Sequence, residues 1–450
     1  MFLITNPFNL TILSEHQYFT DFQASQKIDI SQKSLQPWRL TGVPERMKFI
    51  TNLIFVLTKQ QHFLAKTATL EMGKPVKQSV TEVKKCILLC EFYLKHAESF
   101  LKVTKIEHEA GESFVRYEPL GVILGVMPWN FPYWQVFRFA IPAIIAGNTV
   151  VVKHASNVAG CGKLLEKLFL EAGFSEGVYQ NLLIAGDQVE KVIENPIIKA
   201  VSLTGSEKAG ASVASFAAKH IKKAVLELGG SNAMIICEDA DINAAVPIAV
   251  NSRMQNTGQS CIASKRFIIH NKVYDEFLSK YSNAVKELKS GDPMEEATDI
   301  GPLARVDLAE EIEKQVNDSV AMGAKIAIGG KRRDAFYEPT VVVDVTADMP
   351  VFKEETFGPV AAFVKFEALD EAVKLSNATR FGLGVSIFTK DIEIIKTKLH
   401  LFEEGAVFIN EMVTSDPALP FGGVKSSGYG RELAENGIKE FVNVKTVFIK

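Results

Sequence analysis

Cysteine is scarce in this chain and never arranged in pairs. Cys86, Cys90, Cys161, Cys237 and Cys261 are odd in number, show no CxxC spacing and have no histidine at metal-ligand spacing, so neither a disulfide scaffold nor a metal site is expected. An excess of one charge is also lacking. With 50 Lys and Arg against 53 Asp and Glu, the net charge is -3, and nothing directs the chain toward nucleic acid or an anionic membrane. Long apolar runs are missing too: FAIPAIIAGNTVVV, residues 139–152, is broken by Pro142 and Asn148 and falls short of the roughly 18 residues of a membrane span. The opening MFLITNPFNL has no basic segment followed by a sustained apolar run, so a soluble, unexported, cytoplasmic protein is expected. Internal repeats, low-complexity tracts and long linkers are not evident.

What is present is 450 residues, enough for two or three domains. Residues 45–72 repeat apolar positions at helical spacing (Met47, Ile50, Leu53, Ile54, Leu57) until Gly73 and Pro75 stop the pattern. Residues 76–101 read as a second helix and 102–118 as extended chain closed by Pro119. From 120 to 245 short apolar runs alternate with helical segments: VILGVMP, 133–146, TVVVK, 158–172, YQNLLIA, 187–195, AVSLTG, 206–219, AVLELGG. Such alternation predicts a doubly wound α/β sheet, which binds ligands beyond the carboxyl ends of its strands. Residues 246–410 repeat it with strands at RFIIH, KIAIGG, TVVVDV, AAFVKF, VSIFT and AVFIN, and 437–450 ends in an exposed-looking strand, NVKTVFIK.

Four segments carry chemistry. In LTGSEKAG, 203–210, a strand gives way at Gly205 and Ser206 to a helix, and small residues there let a phosphate approach backbone N–H groups; an ordinary strand-to-helix turn is the competing reading. LELGG, 226–230, puts Glu227 at a strand end, where it is either a general base or a solvated loop charge. NTGQSCIASKR, 256–266, sets Cys261 in a small polar loop with Lys265 and Arg266 downstream, a setting suited to a thiolate nucleophile but also open to a buried thiol. MPWNFP, 127–132, holds Asn130 where its amide serves as an oxyanion donor or merely shapes a turn.

In order, these motifs resemble the aldehyde dehydrogenase superfamily from about residue 5 to residue 450, together with VVKHAS, EETFGPV (354–360), FINE (408–411) and PFGGVKSSGYGRE (420–432). MPWNFPYWQVFR, KHASN, LELGGSN and YGRE look most like the bacterial NAD(P)-dependent succinate-semialdehyde dehydrogenases. The resemblance implies two doubly wound Rossmann-like domains with a small β oligomerisation arm. A cofactor domain would take 1–101, 120–227 and 415–436, a catalytic domain 228–414, and the arm 102–119 and 437–450. It implies a homodimer or homotetramer.

The same resemblance assigns Cys261 as nucleophile, the Asn130 amide and the Cys261 N–H as oxyanion donors, and Glu227 as the base that activates water. It assigns the Trp129 backbone, Lys153, Ser156, Gly205, Ser206, Leu228, Glu355 and Phe357 to an NADP or NAD cofactor. NAD-preferring relatives often carry Glu three residues after the lysine; here Ser156 stands there, so NADP should be accepted. For a substrate carboxylate the matching positions are Arg138 and Ser415, while a second arginine of some relatives is replaced by Gln255, with Arg253 nearby. Arg138 is alternatively a structural ion-pair residue. The expected reaction oxidises an aldehyde, succinate semialdehyde foremost. Another short semialdehyde or a neutral aldehyde, a CoA-dependent acylating enzyme, a cysteine hydrolase and a non-enzymatic binding role are the alternatives.

Overall fold

The computed structural model describes all 450 residues. Its two long helices, Val43–Met72 and Val76–Phe100, follow the expected pattern, and Gly73 turns the chain between them in the left-handed region at φ 82°. The sequence pattern gave no element before residue 45, whereas the structure has a hairpin, Phe2–Thr5 with Ile12–His16, and a helix Asp21–Leu40 opened by a Thr20–Gln23 capping box. That helix buries Ala24, Ile28, Ser31, Leu35 and Trp38, a helical spacing obscured by one serine and by Pro37 near its end.

The first large sheet has six strands in the order Gly428–Tyr429, Lys223–Glu227, Ile198–Thr204, Val122–Met127, Thr149–His154 and Tyr179–Asn181. All pairs are parallel except the first, where a short segment from near the end of the chain lies antiparallel beside the strand bearing Glu227. Forty-seven buried residues form the core on one face, including much of the two long helices and Trp134–Ile145, and a 17-residue cluster fills the other. Covered on both faces, the strands read as continuous apolar runs.

The second sheet has seven strands: Lys325–Ile328, Thr340–Val343, Val360–Phe366, Ser264–His270, Asn232–Ile236, Val385–Phe388 and Val407–Ile409. Only Lys325–Ile328 runs antiparallel to its neighbour. Asn232–Ile236, central and fully buried, is absent from the expected strands because only four residues separate it from the strand ending at Glu227. A third sheet pairs Val442–Ile449 with Glu112–Pro119 over eight residues, and Glu112–Pro119 with Thr104–Ile106. The expected terminal strand NVKTVFIK falls on Val442–Ile449, and a helix, Ala434–Lys439, precedes it. No helix is long and apolar enough to cross a membrane.

Candidate active site

The loop before Cys261 is held open by strain and anchored from below. After helix Ile242–Met254, Asn256 and Thr257 both adopt φ 53° and Gly258 φ 73°, so three successive residues sit in the left-handed region. A Cβ at Gly258 would lie 2.3 Å from the Gly358 carbonyl oxygen, which restricts that position to glycine. Arg253 is wholly buried and donates to the Gly258 carbonyl at 3.3 Å and the Thr356 carbonyl at 3.0 Å. It braces the loop and does not replace the missing arginine at Gln255. Lys265, also wholly buried, donates to the carbonyls of Ser260 (2.7 Å) and Cys261 (2.6 Å) and meets Glu355 at 3.3 Å. Burial lowers its pKa to about 8.

Cys86, Cys90 and Cys161 are buried, whereas Cys261 is partly accessible and lines two cavities at once. Burial pushes its thiol up, while Arg138 and Lys265 pull it back down. Its backbone N–H has no protein acceptor. Asn130 is buried, with one amide hydrogen spent on the Gln259 carbonyl at 3.1 Å, leaving the other free. The Asn130 carbonyl accepts from Asn256 at 2.9 Å and from Lys74 at 3.3 Å, and Lys74 forms a fully buried pair with Glu82. Glu82 in turn accepts from the N–H groups of Tyr133 (2.8 Å) and Trp134 (2.9 Å) at the start of helix Trp134–Ile145. A carboxylate on that helix N-terminus fixes the turn carrying Asn130.

Glu227 closes its strand, and neither carboxylate oxygen has a hydrogen-bond partner. Burial first, and Glu432 second, raise its pKa well above the carboxylate range. Burial raises the pKa of Glu432 as well, while Arg138, 2.6 Å away, pulls it back down. The contact is an ion pair without an aligned N–H, since Arg138 Nε and Glu432 Oε2 make no further hydrogen bond. Arg138 is thus paired, as its ion-pair reading expects. It lines the first cavity but is buried, stacked on Phe421 at 4.5 Å and already neutralised. Glu432 lies in the PFGGVKSSGYGRE motif, yet nothing in that motif indicates its partner.

The first cavity, about 670 Å³, runs from Cys261 past Phe131, Trp134 and Gln255 to Ser415. The Ser415 hydroxyl accepts from Lys85 at 2.7 Å and from the Trp134 indole at 3.1 Å. The second, about 620 Å³, opens beyond the carboxyl ends of the first sheet and is lined by Trp129, Lys153, Gly205, Ser206, Leu228, Glu355 and Phe357, with Glu227 at its inner end. Its features suit a dinucleotide. A Cβ at Gly205 would meet only ordinary van der Waals neighbours, so packing within the protein does not demand glycine there, and the bare backbone leaves room for a ligand to come close. Ser206 caps helix Glu207–Lys219 by accepting from the Ala209 N–H, and the first turn of that helix lines the groove. Gly229 is needed for a different reason, since a Cβ would lie 2.3 Å from Glu355, whose other oxygen accepts from Gly230 N–H at 3.0 Å. The Ser156 hydroxyl bonds Tyr18 at 2.8 Å, and Lys153 lines the groove.

The chain matches the model of the Aldehyde dehydrogenase family over residues 2–447. It is 47% identical over 430 residues, 95% of both chains, to a protein of Synechocystis sp. named probable succinate-semialdehyde dehydrogenase [NADP(+)]. It is 44% identical over 436 residues to succinate-semialdehyde dehydrogenase [NADP(+)] 1 of Mycobacterium tuberculosis, covering 96% of this chain and 95% of that one. Among solved structures, succinic semialdehyde dehydrogenase from Streptococcus pyogenes in complex with NADP+ superposes with a TM-score of 0.97 at 36% identity, covering 100% of both chains. The thiol, the buried carboxylate and the groove that the fold brings together are thus accompanied by likeness along the whole chain, and this protein belongs to the aldehyde dehydrogenase family.

Proposed function

We propose that the protein oxidises succinate semialdehyde to succinate with NADP as the preferred cofactor. The observation that carries the reaction class is the junction of the two cavities at Cys261, with Glu227 lining the one on the cofactor side. Cys261 Sγ bonds to the aldehyde carbon, and the negative oxygen is received by the Asn130 amide and the Cys261 N–H. When bound, the nicotinamide cofactor supplies the two-electron acceptor that makes the adduct a thioester. Glu227 then takes a proton from water, which attacks the thioester carbon, releasing the acid and restoring the thiol. A carboxylate with a raised pKa is matched to that exchange near neutral pH.

Lys153 in the groove, with no carboxylate at position 156, favours a 2′-phosphate. The names of the Synechocystis and mycobacterial relatives and the NADP+ complex from S. pyogenes agree with both halves of this assignment. The reading divides the chain into the cofactor domain 1–101, 120–227 and 415–436, the catalytic domain 228–414 and the arm 102–119 and 437–450. The arm exposes Ile106, Val444, Phe448 and Ile449, an apolar edge suited to a second copy of the chain. The test is absorbance at 340 nm with succinate semialdehyde, glutarate semialdehyde and butanal, each with NADP and NAD. A higher kcat/KM for succinate semialdehyde with NADP supports the assignment; equal values for all three aldehydes overturn the substrate.

A further inference from the structure

Charge accounting around the aldehyde cavity isolates one residue. Of the charged side chains lining it, Lys77 pairs with Asp299 at 2.6 Å, Glu82 with buried Lys74, and Arg138 with Glu432 at 2.6 Å. Lys85, from helix Val76–Phe100, makes no ion pair. Its ammonium is held over the Trp134 ring at 4.4 Å and against the Ser415 hydroxyl at 2.7 Å. A serine hydroxyl has two acceptor sites and one hydrogen. Lys85 and the Trp134 indole occupy both acceptor sites, so the Ser415 hydrogen is left to donate.

We propose that Lys85 supplies the positive charge for the distal carboxylate of the substrate, beside the Ser415 hydroxyl already matched to that role. This deepens, and rests on, the assignment of a semialdehyde substrate. One carboxylate oxygen receives the ammonium and the other the serine O–H, so the two donors select an anion over a neutral chain end. Arg138 acts one layer behind, as the partner of Glu432. Burial, then the neighbouring Arg138 charge, lowers the pKa of Lys85 to about 8, so it is still largely protonated at pH 7, and an arriving carboxylate would hold the proton more firmly. Gln255, which stands where some relatives carry arginine, leaves this charge without a cationic rival at the cavity surface.

The experiment compares wild type with Lys85→Met, Lys85→Gln and Lys85→Arg, reading kcat/KM for succinate semialdehyde and butanal with NADP. In Lys85→Met and Lys85→Gln the ratio of the two values should fall about 30-fold or more, mainly through KM for the semialdehyde. Lys85→Arg, which keeps the charge, should retain most of the ratio. An unchanged ratio in the neutral variants overturns the proposal, and so does a parallel loss on both aldehydes with no recovery in Lys85→Arg, which marks a structural lysine. A wild-type enzyme with no preference for the semialdehyde defeats the substrate assignment; a preference that survives loss of the Lys85 charge defeats this inference alone.

Discussion

Replacing Glu227 by glutamine should move folding and catalysis in opposite directions. The side chain is 2% exposed and its carboxylate has no hydrogen-bond partner. Its folded pKa is therefore raised well above the unfolded value. Below the unfolded pKa both states hold the proton, and the stability linked to this group is fully present. As pH rises, the unfolded chain releases its proton first, and the wild type loses about 1.4 kcal/mol of stability per pH unit until the folded pKa is reached. Glutamine has nearly the same shape and does not titrate. Urea unfolding at a series of pH values from 5 upward should therefore show the variant gaining on wild type as pH rises, then levelling off. Turnover should fall by about 10²- to 10⁴-fold, the usual contribution of a general base. Rapid mixing with excess aldehyde should give a burst of about one reduced cofactor per site before slow turnover. A stability difference that does not grow with pH would mean that Glu227 ionises freely in the folded protein. Undiminished steady turnover would remove it from the hydrolytic step.

Two further outcomes follow from neighbouring contacts. Arg138→Ala leaves the Glu432 carboxylate buried and unpaired, so it should cost about 3–5 kcal/mol of stability in chemical unfolding and depress butanal and succinate semialdehyde alike; a selective loss on the semialdehyde with normal stability would return Arg138 to direct substrate contact. Ser156→Glu should weaken NADP by about 1–3 kcal/mol relative to NAD in direct titration, through charge repulsion at the end of strand Thr149–His154; equal weakening of both would mean that this position is remote from the 2′-phosphate.

Much of the fold is legible in the sequence because most strands are apolar runs bounded by Gly or Pro and most helices are periodic. Asn232–Ile236 escapes because a turn of four residues is too short to separate it from the strand before. The residues first singled out by their motifs, Cys261, Glu227 and Asn130, do come together at or beside the meeting point of the two cavities. What local pattern cannot carry is pairing across the chain. The sequence leaves Arg138 open between substrate contact and a structural ion pair until Glu432 is seen against it, and shows Arg253 only as near an absent arginine until its carbonyl partners appear. Lys85 sits in a helix with lysines on several sides, and nothing in its neighbours along the chain distinguishes it from Lys84, which is exposed.

The segment from Phe421 to Glu432 has a consequence for how the protein is made. It lays Phe421 in the aldehyde cavity, donates the Ser427 hydroxyl to the Gly229 carbonyl at 2.7 Å, pairs Tyr429 with Leu226 and sets Glu432 on Arg138. A ribosome that has released the first 400 residues has therefore delivered the nucleophile, the base and the oxyanion donor, but not the strip that completes the wall around them. Closing that wall joins positions far apart in sequence, a slow and costly step in loop entropy. Nascent chains should thus carry an unfinished pocket through most of translation, and the reactive thiol enters its working surroundings only when synthesis is nearly over.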